Sequence, residues 1–139
     1  MQEVKRTRIV HAERLQWISD WHKKCGWNVP FFDLDYFSFL GLEYDRAKPV
    51  ALIEYKHHQE MDIHKTAKAA LVSLSLRASV PAFITRYKPE SAMFLIDPLT
   101  QQSMQLVSVD KAGWITEYDY MKFLYEIRLR EDEFLREDF

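Results

Sequence analysis

The chain has 139 residues, with 47% hydrophobic and 14% aromatic residues and only three glycines, which predicts one folded domain over residues 1–139 and excludes a disordered or linker-rich chain. A single cysteine, Cys25, excludes a disulfide framework and a multi-cysteine zinc site, and no apolar run approaches the ~18 residues of a membrane span; the expectation is a cytoplasmic protein with no membrane partner. The net charge of −2 hides segregation along the chain: +3 over residues 1–30, −3 over 31–47, +4 over 48–88, −2 over 89–109 and −4 over 110–139, a pattern that can set a basic face beside an acidic pocket.

Over residues 8–24, Val10, Arg14, Trp17, Ile18 and Trp21 recur at helical spacing and predict a first helix, ended by Gly26, Asn28 and Pro30. The run FFDLDYFSFLGLEY, the turn material DRAKP and the run VALIEYKHH then predict a β-hairpin. From Asp62, the positions Ile63, Ala67, Ala70, Leu71, Leu74 and Ala78 form the apolar stripe of a second helix, with His64, Lys65 and Lys68 off that stripe. PAFITRYK and AMFLID read as two short strands and SMQLVSV as a third. Thr116 and Asp119 resemble a capping box opening a last helix over about 116–135, outside a core of about 8–110. The fold expected is an α/β (α+β) mixed β-sheet flanked by helices, in the order α-β-β-α-β-β with a C-terminal helix.

Chemistry points to the hairpin, where Asp33, Asp35, Glu54 and Lys56 interrupt apolar strand patterns in which burying a charge is costly. Side chains alternate along a strand, so Glu54 and Lys56 share a face. A two-residue loop at Arg46 and Ala47 pairs Glu54 with Phe39 and leaves Asp35 roughly 13 Å away along the strand. A four-residue loop over 43–46 instead sets Asp35 opposite Glu54, with Cβ atoms about 5 Å apart. Converging carboxylates call for a divalent cation, and an all-oxygen set favours Mg²⁺ or Mn²⁺. Lys56 beside such an ion would orient a water for attack on a phosphodiester.

An Asp in one strand, a hairpin, and Glu-x-Lys in an apolar second strand, here DLDYFSFL and ALIEYKHH, resemble the PD-(D/E)xK nuclease superfamily. The likeness extends to the element order over residues 8–97, while Leu34 stands where the family name implies proline. The resemblance implies a restriction-endonuclease-like sheet and a Mg²⁺-dependent DNA endonuclease leaving a 5′ phosphate. It further implies that Asp35 and Glu54 bind metal with the Tyr55 carbonyl as an added ligand, that Lys56 serves the attacking water, and that Glu13 on the first helix or Asp33 can contribute.

His58, His64, Lys65 and Lys68 are the candidates for contact with a nucleic-acid backbone; His57 and His58, consecutive on a strand, are expected to point to opposite faces. Trp17, Trp21 and Trp27 read as core, not as base-stacking platforms. Three isolated glycines exclude a P-loop, Cys25 reads as a packed residue and not a nucleophile, and His57, His58 and His64 lack the spacing of a zinc site. A homodimer through the aromatic C-terminal helix would suit cutting of two strands. The competing readings are a non-catalytic nuclease-like binding or assembly protein, and an interaction domain in which Glu54 and Lys56 are a cross-strand ion pair on an exposed sheet face.

Overall fold

The structure is a computed structural model, and it describes residues 2–25, 31–35, 40–45, 48–60, 63, 65–107 and 112–137. Helix α1 (Gln2–Cys25) leads into strands β1 (Phe31–Asp35), β2 (Leu40–Asp45) and β3 (Lys48–His57); helix α2 (Lys65–Ala78) is followed by β4 (Ala82–Lys88) and β5 (Met93–Pro98), then α3 (Gln101–Met104), β6 (Trp114–Thr116) and α4 (Glu117–Glu137). The six strands form one sheet in sequential order, with β3 and β4 parallel and every other neighbour antiparallel. The parallel pair needs a crossover, and α2 supplies it.

The mixed α/β class stands, while the element order differs from α-β-β-α-β-β in three places. The aromatic run over 31–44 holds two strands, because β1 and β2 pair antiparallel with each other. The segment read as strand SMQLVSV begins instead inside α3: Thr100 caps that turn, its Oγ1 accepting the Ser103 N–H at 3.1 Å, and a satisfied cap favours helix over strand locally. A short β6 then extends the sheet, entered through Gly113, whose φ of +78° suits a residue without Cβ. Thr116 does cap α4, accepting the Asp119 N–H at 3.2 Å, and the first-turn acids Glu117 and Asp119 complement the helix dipole.

Helices α1 and α4 cover one sheet face. Ile18 and Trp21 meet Tyr120, Phe123, Leu124 and Ile127 over Ala51, Ile53, Tyr55, Phe83 and Phe94. Trp17 stacks on Tyr87 at 5.3 Å, and Phe94 on Tyr120 at 4.3 Å, so Trp17 and Trp21 are core residues; Trp27 lies outside the described residues. Helix α2 covers the other face narrowly. Leu71 packs with Leu52, Val80 and Ala82, and Ser75 Oγ donates to the Val80 carbonyl. The predicted apolar stripe is therefore not a buried one: Ala67, Ala70 and Ala78 are exposed and Leu74 is 45% exposed, because the helix meets the sheet along Leu71 and Ser75, one turn apart. No helix among the described residues is long and apolar enough to cross a membrane.

Candidate functional site

Strand β3 is central, hydrogen-bonded to β2 on one side and β4 on the other, which explains its near-continuous burial from Val50 to Tyr55. Its period of two sends Ala51, Ile53 and Tyr55 to the α1/α4 face and Leu52, Glu54 and Lys56 to the α2 face. Glu54 is buried, at 3% exposure, and the Lys56 side chain is 18% exposed. The exposed-sheet reading of this pair is thereby set aside.

Asp35 does not stand opposite Glu54. The β2–β3 hairpin closes with Asp45 paired to Lys48, and a register slip between Glu43 and Tyr44 carries Glu54 onto Leu40, so neither Asp35 nor Phe39 is its neighbour. The chain then reverses once more and Asp35 pairs with Leu40, past an irregularity after Asp33. Asp35, Leu40 and Glu54 form one row across three strands, which sets the two acidic residues about 10 Å apart at the backbone. Two carboxylates are the donor type that a hard divalent cation takes, and the backbone places their residues in one row. The side chains of Asp33 and Asp35 lie outside the described residues. Tyr55 turns its own side chain to the opposite face, and Glu13 is exposed on α1, the helix that packs there.

The structure adds residues the motif did not name. Glu60, in the turn after β3, lies 4.0 Å from Lys56 Nζ and 3.3 Å from Arg14 Nη1, and its carbonyl accepts from Arg86 Nη1 at 3.1 Å. Arg86 is the register partner of Lys56 on β4. Two cations, Lys56 and Arg14, thus meet the Glu60 carboxylate, and a third, Arg86, holds its backbone carbonyl. Burial first, then Arg14 and His58, hold the His57 imidazole below its ordinary pKa. Lys65 and Lys68 are exposed on the first turns of α2; His64 lies outside the described residues. His57 and His58 do not diverge to opposite faces as expected: β3 ends at His57, and the two rings lie 4.5 Å apart.

The opposite face holds a buried polar network that sequence reasoning missed. Glu43, fully buried, meets Arg128 Nη2 at 2.6 Å and His22 Nε2 at 2.7 Å, and accepts the Tyr55 hydroxyl at 3.1 Å. Arg128 also donates to the Tyr44 and Leu124 carbonyls. From Tyr55 the network continues to the Tyr120 hydroxyl at 2.7 Å and on to Thr85. The signal was present in the patterns: Glu43 interrupts the apolar strand LGLEY, His22 falls one turn after Ile18, and Arg128 one turn after Leu124.

Burial pushes the Tyr55 and Tyr120 phenols well above their ordinary range, with the Glu43 charge adding to it. Burial, then Glu117, pushes the Cys25 thiol up to about 11, which fits a packed cysteine beside a cavity of about 160 Å³ lined by Trp21, Lys24 and Met121. Groups that keep their protons in the folded chain and release them unfolded weaken the fold as pH rises. Melting temperature is therefore expected to fall progressively above about pH 9, through the ordinary thiol and phenol ranges. Tyr120→Phe is expected to flatten that decline; an equal slope in the variant would remove Tyr120 as its source.

No protein-family model, curated protein or solved structure matches the chain.

Proposed function

We propose that the protein is a metal-dependent nuclease hydrolysing DNA phosphodiester bonds, with Asp35 and Glu54 holding Mg²⁺ or Mn²⁺ and Lys56 positioning the attacking water. The observation that carries this reading is Glu54, a carboxylate at 3% exposure in the central strand, sharing a sheet face with Lys56 two residues on. A carboxylate buried on the strand face it shares with a lysine is a donor that a divalent cation can use. Asp35, which shares a backbone row with Glu54 across three strands, would supply the second acid. When bound, the cation polarises a phosphoryl oxygen and lowers the pKa of a coordinated water.

The chain's own residues divide the remaining work. Glu54 and Asp35 would hold the cation. Lys56 keeps its ammonium on the same face, where it can hold a water in line with phosphorus and stabilise developing negative charge. Arg14 and Arg86, gathered around Glu60 beside Lys56, favour a polyanionic substrate, and exposed Lys65 and Lys68 extend that charge to the phosphates flanking the scissile bond. Cutting both strands would call for a homodimer; Tyr118, Tyr125 and Leu129 are exposed apolar side chains of α4 among the described residues.

A non-catalytic, nuclease-like binding protein draws on a different observation, the ion pair of Lys56 with Glu60 at 4.0 Å, as in a lysine kept for structure. Incubation of branched, single-stranded and duplex DNA with Mn²⁺ separates the two. Cleavage by the wild-type chain is expected, with Glu54→Ala reduced to background and its circular dichroism unchanged. Equal behaviour of both proteins on every DNA form would favour the binding protein.

A further inference from the structure

The corner of the sheet where β3 and β4 end carries a second constellation, made of nitrogen as well as oxygen donors. Because β3 stops at His57, His58 enters the following turn and its ring comes alongside that of His57. The β4–β5 turn, which closes through Ala92 at φ +52°, brings Glu90 to the same corner. One donor atom from each of His57, His58 and Glu90 lies within 4.8 Å of the other two.

The detailed distances distinguish this corner from an ordinary polar contact. His58 Nε2 is buried and has no hydrogen-bond partner among the described residues; it stands 3.7 Å from Glu90 Oε2. That is too long for a hydrogen bond. It is close to the ~3.4 Å between two donors on one tetrahedral zinc ion, whose bonds are about 2.0–2.1 Å.

We propose that His57, His58 and Glu90 bind one transition-metal ion of the Zn²⁺ class. Two imidazoles and a carboxylate select Zn²⁺ over Mg²⁺, and three protein ligands leave a position for water or a substrate oxygen. The Glu90 side chain is 74% exposed, so the open position faces solvent. His57 Nδ1 accepts the Gln59 N–H at 3.2 Å. Ligation through Nδ1 takes that lone pair, and ligation through Nε2 requires a proton on Nδ1, so either mode releases the Gln59 amide. The site would also clip the β4–β5 turn to the end of β3.

Calorimetric and ¹H–¹⁵N NMR titration of the full, tag-free chain with Zn²⁺ tests this. One equivalent is expected to bind, the Gln59 amide resonance to move, and the melting temperature to rise, with equimolar Mg²⁺ giving none of these at this corner. Glu90→Gln, a change at an exposed turn position, and His58→Ala are each expected to weaken Zn²⁺ binding at least about tenfold. Glu54→Ala is expected to leave it unchanged, which separates this site from the one proposed for Mg²⁺. Absence of saturable Zn²⁺ binding, or binding of wild-type strength in both Glu90→Gln and His58→Ala, would overturn the proposal.

Discussion

Lys56→Ala is expected to lower Mg²⁺-dependent DNA cleavage by about two to three orders of magnitude, the usual cost of removing one group aimed at developing charge in a transition state. The same change is expected to move the melting temperature by no more than about 3 °C. Its contact with Glu60, at 4.0 Å, is longer than a hydrogen bond, and Glu60 keeps Arg14 at 3.3 Å when Lys56 is removed, so no carboxylate is left uncompensated. Glu60→Gln is the companion measurement. It removes the partner of Lys56 but leaves the ammonium, so cleavage is expected to persist at a substantial fraction of the wild-type rate. If Lys56→Ala and Glu60→Gln alter cleavage equally, Lys56 acts through its ion pair and not through the water.

The second large effect is on stability. Arg128→Ala is expected to destabilise the fold by about 3–5 kcal/mol, because it strands the fully buried Glu43 carboxylate without the guanidinium that meets it at 2.6 Å. For a domain of this size that is a loss of about 10–20 °C in melting temperature and a large fraction of a typical folding free energy. Replacing both partners with apolar residues, Glu43→Met with Arg128→Met, is expected to recover most of the loss, since the desolvation of both charges is then avoided. Thermal melts of the single and double variants form the cycle that checks this. The network faces α1 and α4 while Glu54 and Lys56 face α2, so the double variant is expected to cleave DNA at the wild-type rate when assayed well below its melting temperature. Loss of cleavage in a folded double variant would move Glu43 into the functional machinery.

How much of this was legible beforehand follows from the range of each interaction. Helix α1, strands β3, β4 and β5, and the cap of α4 rest on periodicity and turn chemistry within a few residues, and those signals are written locally. Whether Asp35 pairs with Glu54 stayed open between two loop lengths, and neither register is the one found, because the answer depended on how many times the chain reverses between them. The aromatic run over 31–44 satisfies strand patterning equally well as one strand or as two, and the slip at Glu43/Tyr44 moves the register by one. The divergence expected of His57 and His58 failed for a related reason: alternation holds only while the strand continues.

By itself, then, the amino-acid order determined that Glu54 and Lys56 share one face of an apolar strand, that Trp17, Ile18 and Trp21 line a buried helix face, and that Cys25 is a packed residue at the helix end, because each depends only on local geometry or on residue chemistry. Tertiary structure alone decided that Asp35 reaches the Glu54 row from two strands away, that Arg14, Lys56 and Arg86 meet at Glu60, and that Glu90 joins the histidine pair. It likewise decided that Glu43 is held by His22 and Arg128, 21 and 85 residues distant. Those neighbours are made by chain reversals and packing over tens of residues, where no local periodicity constrains which side chains come together.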